Sequence, residues 1–255
     1  MEVFKIIFYQ PLFNLLIWLY DILPVADIGI AIILVTLIIK LALFPLSAKS
    51  IKSQKSMQEL QPKIEELKEK YKNDKEKMAK EMMVLYKENK VNPLSSCLPL
   101  LIQLPILFAL YRVLINGLTD ANSFDDLYSF VQNPGAINTM FIGIVDLARA
   151  SIPLAVLAGA AQFVSVRLMA SKRPPKQVRK KEGARDENML ASMNQSMMYF
   201  MPIITVVIGS SLPGGLTLYW FATNLFQLLQ EIIVLKKNNN NDSPGAPEQA
   251  AVAQA

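Results

Sequence analysis

Two polar side chains interrupt an otherwise apolar run at residues 28–46. They are Thr36 and Lys40, which lie four residues apart and therefore share one face of a helix. A lysine facing a watery space between helices would stay charged and could attract acidic or polar groups of a visiting chain. The alternative interpretation needs no cavity, because a lysine near a helix end can extend its ammonium to the lipid headgroups.

The run that carries this lysine is long enough to cross a membrane. At about 1.5 Å of rise per residue it reaches about 28 Å, close to the hydrocarbon thickness of a bilayer. A lysine inside such a helix costs roughly 2.5–3.5 kcal/mol at its centre and less toward its ends. The charge at Lys40 therefore calls for water or a polar partner.

Composition favours a membrane protein without enzymatic activity. The chain has 255 residues, is 52% hydrophobic, carries a net charge of +5 and contains no histidine. The commonest general base and metal ligand is thus missing, and Cys97 is the single cysteine. We predict no catalytic residue, no metal and no cofactor. We also expect no carboxylate inside the spans, which would leave Lys40 without a counter-charge.

Polar residues in the other apolar segments recur at helical spacing. Because an unpaired amide is costly in lipid, each should face protein or water. Two interpretations remain open, hydrogen bonds between helices and a shared hydrophilic groove. The groove is predicted from Thr36, Lys40, Gln103, Gln162, Ser165, Trp220 and Asn224, with Thr217 and Gln227 on the same stripe of the last span. The predicted spans are 28–46, 95–115, 152–170, 196–211 and 215–235.

The charged block at residues 47–93 holds twelve lysines and eight acidic residues, yet it keeps two apolar stripes. Between them lies a turn-like stretch in which Asn73 or Asp74 could cap a second helix. We predict an antiparallel helical hairpin that projects from the membrane, with a simple solvated spacer as the alternative. Its contacts are expected at Ile64, Leu67, Tyr71, Met78, Met82 and Leu85.

Lysine and arginine bias predicts the topology. The block at 47–93 and the loop at 171–193 hold nineteen basic residues, whereas 116–151 holds one, so both basic segments are expected to be cytoplasmic. Residues 1–27 are predicted to form an amphipathic helix on the bilayer surface, with a true span as the alternative. Residues 236–255 are predicted to be a disordered cytoplasmic tail.

Three stretches resemble a known family. They are TLIIKLALFPL (36–46), LPGGLTLYWFATN (212–224) and the long stretch from Leu60 to Tyr111, which includes KVNPLSSCLPLLIQLPI. These stretches are similar to the YidC/Oxa/Alb membrane protein insertases, and the similarity covers about residues 28–235. The chain length is similar to that of the short bacterial forms.

The resemblance implies an all-α membrane protein with a five-transmembrane-helix core, a hydrophilic groove, a cytoplasmic antiparallel helical hairpin and an N-terminal interfacial helix. It places the groove cation at Lys40, where family members usually have arginine, and other groove residues at Thr36, Gln162 and Trp220. Lysine keeps the charge but loses the planar fork that binds a carboxylate through two hydrogen bonds.

The function implied is that of an insertase and assembly chaperone in the bacterial plasma membrane, with several spans and a cytoplasmic tail. The expected partners are nascent membrane proteins and the lipid bilayer. The Sec translocon and the ribosome, the latter through the basic loops, are further candidate partners, and no sequence-specific nucleic acid binding is expected. Two alternatives stay open, a small-anion transporter or channel and an assembly scaffold without insertase activity.

Overall fold

The computed structural model describes residues 2–92, 98–117, 121–170 and 200–241. The predicted basic loop at 171–193, the start of the predicted span 196–211 and the last part of the predicted tail lie outside these residues. The helices are α1 (Glu2–Ile22), α2 (Ile28–Ala42), α3 (Phe44–Glu59), α4 (Gln61–Lys70), α5 (Lys75–Glu88), α6 (Leu98–Gly117), α7 (Ile152–Ala170), α8 (Phe200–Gly209) and α9 (Gly214–Asn241).

Apolar helices dominate the described part of the chain. Three are long and apolar enough to cross a membrane, and a fourth qualifies if α2 and α3 are counted as one bent span. Two shorter apolar helices, at Leu101–Ile115 and Phe200–Gly209, complete the set. The prediction of an all-α membrane protein is confirmed, since the described residues contain only one two-stranded sheet.

The expected straight helix over residues 28–46 is broken at Leu43. Helix α2 ends at Ala42, and α3 leaves it at an angle of 68°. The physical cause is Pro45, which has no N–H to bond the carbonyl of Leu41 and whose ring would collide with that carbonyl. A new helix therefore begins at Phe44, with Pro45 in its first turn.

The break also changes the predicted hairpin at 47–93. Helix α3 packs against α9 and α6, so it belongs to the bundle, and the antiparallel hairpin is made by α4 and α5 alone. Asp74 caps α5 by accepting a hydrogen bond from the N–H of Lys77 at 3.0 Å, which confirms one of the two predicted caps. Among the six stripe residues Ile64 is buried and the others are half-buried.

The core of the bundle lies between α1, α2, α6 and α9. Helix α9 packs along α7 and also contacts α2 and α3, while α1 packs against α2 and α6. Apolar side chains fill the space between them at close to zero exposure; these are Phe13, Leu16, Ile17, Ile32, Leu110 and Leu218. Burial of this apolar stripe on each helix holds the bundle together.

Residues 121–150 fold over one end of this bundle. They contain the antiparallel strands β1 (Met140–Phe141) and β2 (Val145–Asp146), with Phe141 opposite Val145. We call this segment, together with α1 and the first turn of α2, the closed end. Backbone bonds from Gly214 to Arg149 and from Gly215 to Leu147 attach it to the start of α9.

Asp27 joins the closed end to α2. One carboxylate oxygen accepts hydrogen bonds from the N–H groups of Gly29 and Ile30, at 2.8 and 3.1 Å, and so caps the helix. The other oxygen accepts from the N–H of Ile142 at 2.7 Å. A Cβ at Gly29 would lie 2.2 Å from the ring of Phe141, so only glycine permits this contact. Packing and hydrogen bonds therefore both hold the start of α2 against residues 141 and 142.

Candidate polar groove

The two residues that opened the sequence analysis lie side by side in the structure. Lys40 is on the last turn of α2, half-buried, and Thr36 lies one turn before it with 1% of its surface exposed. The Thr36 hydroxyl donates to the carbonyl of Ile32 at 2.7 Å, within its own helix. This leaves the oxygen free to accept a hydrogen bond, so the face is polar beyond the ammonium itself.

A cavity of about 590 Å³, open to solvent, lies against this face. The bend at Leu43 forms one wall, because it turns α3 alongside the space that a straight helix would leave open. Helices α6 and α9 supply the remaining walls. The lining residues are Thr36, Ile39, Lys40, Leu43, Leu46, Ser47, Ser50, Ile51, Gln54, Ile102, Gln103, Tyr219, Thr223 and Gln227.

A chain of polar contacts runs from the cavity into the bundle. The Lys40 ammonium donates to Gln227 Oε1 at 3.4 Å, and Gln227 Nε2 donates to Glu231 Oε1 at 3.1 Å. The second oxygen of Glu231 accepts from the Ser165 hydroxyl on α7 at 2.7 Å. Three helices are thereby connected through one carboxylate.

The expectation that the spans contain no carboxylate is wrong. Glu231 lies within the apolar stretch Gly214–Lys236, with 2% of its surface exposed. Leu229, Ile232 and Ile233 surround this glutamate in the sequence, so the mean hydropathy of the segment stays high and conceals the single charge. Lys40 therefore has an acidic neighbour in the bundle, reached through Gln227.

Four residues of α9 matter here, and three of them, Tyr219, Thr223 and Glu231, were missing from the predicted polar stripe, which already included Gln227. They lie at intervals of four and so form a single row on the helix: Tyr219, Thr223, Gln227 and Glu231. The predicted stripe runs along a neighbouring row of the same helix, through Thr217, Trp220 and Asn224, and meets this row at Gln227. The strict spacing of four was the signal that would have identified the row facing the cavity.

The predicted groove residues separate into two sets. Three of them, Thr36, Lys40 and Gln103, line the cavity, and Gln103 donates to the Tyr219 hydroxyl across it. Ser165 joins the same network through Glu231. The remaining three are outside the lining: Gln162, Trp220 and Asn224.

Two members of the second set bind neighbouring helices. Gln162 accepts a hydrogen bond from Thr205 of α8, and Asn224 donates to the carbonyl of Ala158 on α7 at 3.1 Å. Both are hydrogen bonds between helices, which was the alternative interpretation of the polar stripes. Trp220 is half-buried.

The α4–α5 hairpin carries a dense array of charges outside the bundle. Lys70 and Lys77 place their ammonium groups 5.3 and 5.5 Å from the centre of the Tyr71 ring, near the turn between the two helices. Partial burial raises the pKa of Tyr86 above its ordinary value, so its hydroxyl remains protonated. The hairpin therefore presents a cationic tip with an apolar seam.

Large apolar side chains are exposed on four helices of the bundle. On α6 and α7 they include Leu101, Phe108, Val156 and Val164; on α8 and α9 they include Ile203, Val207, Leu229 and Ile233. Such a surface is unfavourable in water but suits the hydrocarbon of a bilayer. The cavity thus lies in a bundle whose described helices expose large apolar side chains.

Comparison with known proteins identifies a family that matches most of the chain. Residues 18–241 match the family described as 60Kd inner membrane protein. A protein of Clostridium tetani named membrane protein insertase YidC is 40% identical over 210 residues, covering 82% of this chain and 82% of that protein. A protein of the same name from Fusobacterium nucleatum is 38% identical over 211 residues, covering 83% and 87%. One from Pelobacter propionicus is 34% identical over 210 residues, which are 82% of this chain and 35% of that longer relative.

Proposed function

The chain belongs to the 60Kd inner membrane protein family, the YidC/Oxa/Alb membrane protein insertases, and we propose that it transfers apolar segments of newly made proteins into the bilayer through the cavity beside Lys40. The observation that carries this proposal is the cavity itself, an open cleft that carries the Lys40 ammonium and several amide and hydroxyl groups among apolar side chains, within a bundle that exposes large apolar side chains. A segment that enters there meets polar groups first and lipid next.

The physical advantage of such a cavity is a shorter apolar path. A hydrated space inside the bundle brings water partway across the membrane, so a polar flank crosses less hydrocarbon. The apolar segment gains about 25 cal/mol for each Å² of surface that it moves from water into lipid. That gain exceeds the cost of moving a short polar flank, and the transfer then proceeds without an external energy source.

Lys40 contributes a positive charge at the wall of this space. Its ammonium attracts an acidic or polar flank of the substrate, and it is more flexible than the guanidinium usual in the family. A hydrated positive field is sufficient for this role and a planar two-bond contact is not required. The Gln103 amide and the Tyr219 hydroxyl offer further polar contacts across the same cavity.

The orientation we propose places the α4–α5 hairpin, the basic loop at 171–193 and the tail in the cytoplasm, following the lysine and arginine bias. The closed end then faces outward. Helix α1 is proposed to lie on the outer surface, because it contacts the 121–150 segment along its length, from the ion pair of Lys5 with Asp126 (2.7 Å) to the bond of Tyr20 with Asn138 (2.9 Å). A helix that crossed the bilayer would leave that segment after its first turn or two.

The hairpin is proposed to receive substrates before they reach the cavity. Its half-buried methionines, Met78 and Met82, are adaptable apolar contacts, and its lysines favour acidic partners. The ribosome and the Sec translocon are the partners we propose for this cationic surface and for the basic loop. The same cavity would serve an assembly chaperone, which is a second activity of one site.

Insertion into liposomes that contain only this protein tests the proposal. The substrate is a single apolar segment with a short acidic flank, and protease protection of the flank measures insertion. We expect Lys40→Arg to retain most insertion, Lys40→Ala to lose a large part and Lys40→Glu to lose the most, because the last variant repels the flank. Lys49→Glu is the matched control, since it makes the same charge change at an exposed position on α3 outside the cavity lining.

Two results would count against the proposal. Insertion no greater than in empty liposomes would overturn the activity itself. Full insertion by Lys40→Glu, with Lys49→Glu also unaffected, would overturn the electrostatic role of the cavity while leaving the activity in place.

A further inference from the structure

Glu231 has a buried carboxylate that the proposed insertion mechanism does not use. Its side chain is 2% exposed and lies between the cavity and α7. Removing a carboxylate from water carries a penalty of several kcal/mol unless polar partners replace the lost hydration. The described partners are the Ser165 hydroxyl at 2.7 Å and the Gln227 amide at 3.1 Å. These two hydrogen bonds and the nearby Lys40 ammonium offset the cost of burying the carboxylate.

The amide of Gln227 is oriented to serve both charges. Its carbonyl oxygen, the negative end of the amide dipole, accepts from the Lys40 ammonium, and its NH₂ group, the positive end, donates to Glu231. Reversing the amide would turn each end toward a like charge. Gln227 therefore couples the two ions electrostatically although they do not form a direct ion pair.

We propose that Glu231 is a specificity-determining residue that acts through Gln227 on Lys40 and sets how strongly the cavity prefers acidic substrate flanks. This inference rests on the proposed function. Glu231 lowers the positive potential that Lys40 presents to the cavity, so an acidic flank must compete with an internal carboxylate for the same ammonium. Basic flanks are consequently repelled less than by an unaccompanied cation, and neutral flanks are at a smaller disadvantage relative to acidic ones.

A purely structural role would give a different outcome. Glu231 also holds α9 to α7 through Ser165, and loss of that bond alone would weaken the bundle for every substrate equally. The two roles are separated by comparing substrates that differ only in flank charge, because a weakened bundle changes yields but not their ratio.

The experiment uses the full chain in liposomes with three matched single-span substrates, whose flanks carry three aspartates, three asparagines or three lysines. We expect Glu231→Gln to raise the ratio of acidic-flank to basic-flank insertion about two- to fivefold, the range for coupling between partly solvated charges. Glu231→Asp, which keeps the charge, should leave the ratio near that of the original chain. Ser165→Ala, which keeps the carboxylate and removes the α7 bond, should lower insertion of all three substrates by the same factor.

Thermal unfolding in detergent provides a measurement that does not depend on insertion. The single variants Lys40→Gln and Glu231→Gln each leave one ion without its neighbour, so the double variant should lose less stability than the sum of the two. If Glu231→Gln accumulates poorly, restoration of its level by Lys40→Gln would support the same coupling.

Three results overturn the inference: an unchanged ratio in Glu231→Gln, an equal shift in Ser165→Ala, and additive losses of stability in the double variant. These outcomes are distinct from a failure of the proposed function. In that case the original chain would insert none of the three substrates, whereas the unfolding cycle would still report whether the two charges are coupled.

Discussion

The closed end and the cavity use similar polar side chains in opposite ways. At the closed end the buried side chains Asp27 and Asn14 bond to backbone, whereas the ion pair of Lys5 with Asp126 is more exposed. Asp27 accepts from three N–H groups, and the Asn14 amide donates to the carbonyl of Asp126 and accepts from the N–H of Tyr128. At the cavity Thr36 bonds to the backbone of its own helix, but the other contacts join pairs of side chains, Lys40–Gln227, Gln103–Tyr219 and Gln227–Glu231.

This difference determines which contacts can be exchanged. A backbone group is fixed by the fold, so a side chain bound to it is held in place, whereas two paired side chains can separate by a change of rotamer. Packing follows the same division, because Gly29 leaves no room for a Cβ beside Phe141 while the other site is an open cleft. Along α2 the two sites lie about 20 Å apart, at about 1.5 Å per residue. The buried polar side chains of the first region are fixed by the fold, whereas those of the second can exchange partners by a change of rotamer.

The largest effect is expected from removing the carboxylate at the closed end. Asp27→Ala loses the cap of α2 and the bond to Ile142 together, and should reduce the free energy of unfolding by about 2–4 kcal/mol. Asp27→Asn should lose an intermediate amount, since its oxygen can still cap the helix but its NH₂ cannot accept from Ile142. Thermal unfolding in detergent ranks the three proteins. Equal losses in the two variants would show that the cap contributes nothing beyond the bond to Ile142, and no loss in Asp27→Asn would show that the Ile142 bond contributes nothing separate from the cap.

The same substitution made at both sites sharpens the comparison. Tyr20→Phe at the closed end removes the acceptor of the Asn138 N–H, a backbone group held by the fold, and should cost about 1–1.5 kcal/mol, the upper part of the net range for one hydrogen bond. Tyr219→Phe removes the partner of Gln103, whose amide faces the solvent-open cavity and can bind water, so the cost should be nearer 0.6 kcal/mol. Unfolding measurements on the two variants provide a matched pair. A larger loss for Tyr219→Phe would contradict the distinction between fixed and exchangeable contacts.

The smallest effect is expected when the pH is lowered and the Asp146 carboxylate, at the edge of the closed end, becomes protonated. The Thr139 side chain and the N–H of Ala148 bond the Asp146 carboxylate and, with Arg149 nearby, hold its pKa below the ordinary value. The stabilisation is therefore complete above the ordinary pKa of an aspartate and is lost as the pH falls through the lower value of the folded protein. Hydrogen exchange at the Ala148 amide, corrected for the intrinsic rate, should accelerate over this acidic interval. Asp146→Asn is the control and should show no such transition.

Sequence periodicity predicted faces of helices but not their neighbours. Thr36 and Lys40 share a face at a spacing of four, and the structure places both on the cavity. Gln162 and Asn224 satisfied the same kind of pattern, yet they bind Thr205 and Ala158. The rotation of each helix in the bundle decides between the two outcomes, and rotation depends on packing between distant residues.

The other differences also have physical causes. The bend at Leu43 was readable from Pro45, because proline within an apolar run interrupts the hydrogen bonds of a helix. The second partner of Asp27 was not readable, since Ile142 is separated from it by 115 residues and no local pattern connects them. Glu231 is present in the predicted span 215–235, but the high mean hydropathy of that span concealed it. A single charge in an apolar span must therefore be considered separately from the average.

The bond between Asp27 and Ile142 also has a consequence for the order of biogenesis. A chain made at about 5–20 residues per second needs roughly 6–23 seconds to extend from the first of these residues to the second. During that interval α2 can cap itself with one carboxylate oxygen while the other remains in water. The bond forms only after the strand containing Phe141 has been made and has reached the start of α2, so the newly made protein passes through a stage in which α2 is present and its closed end is incomplete.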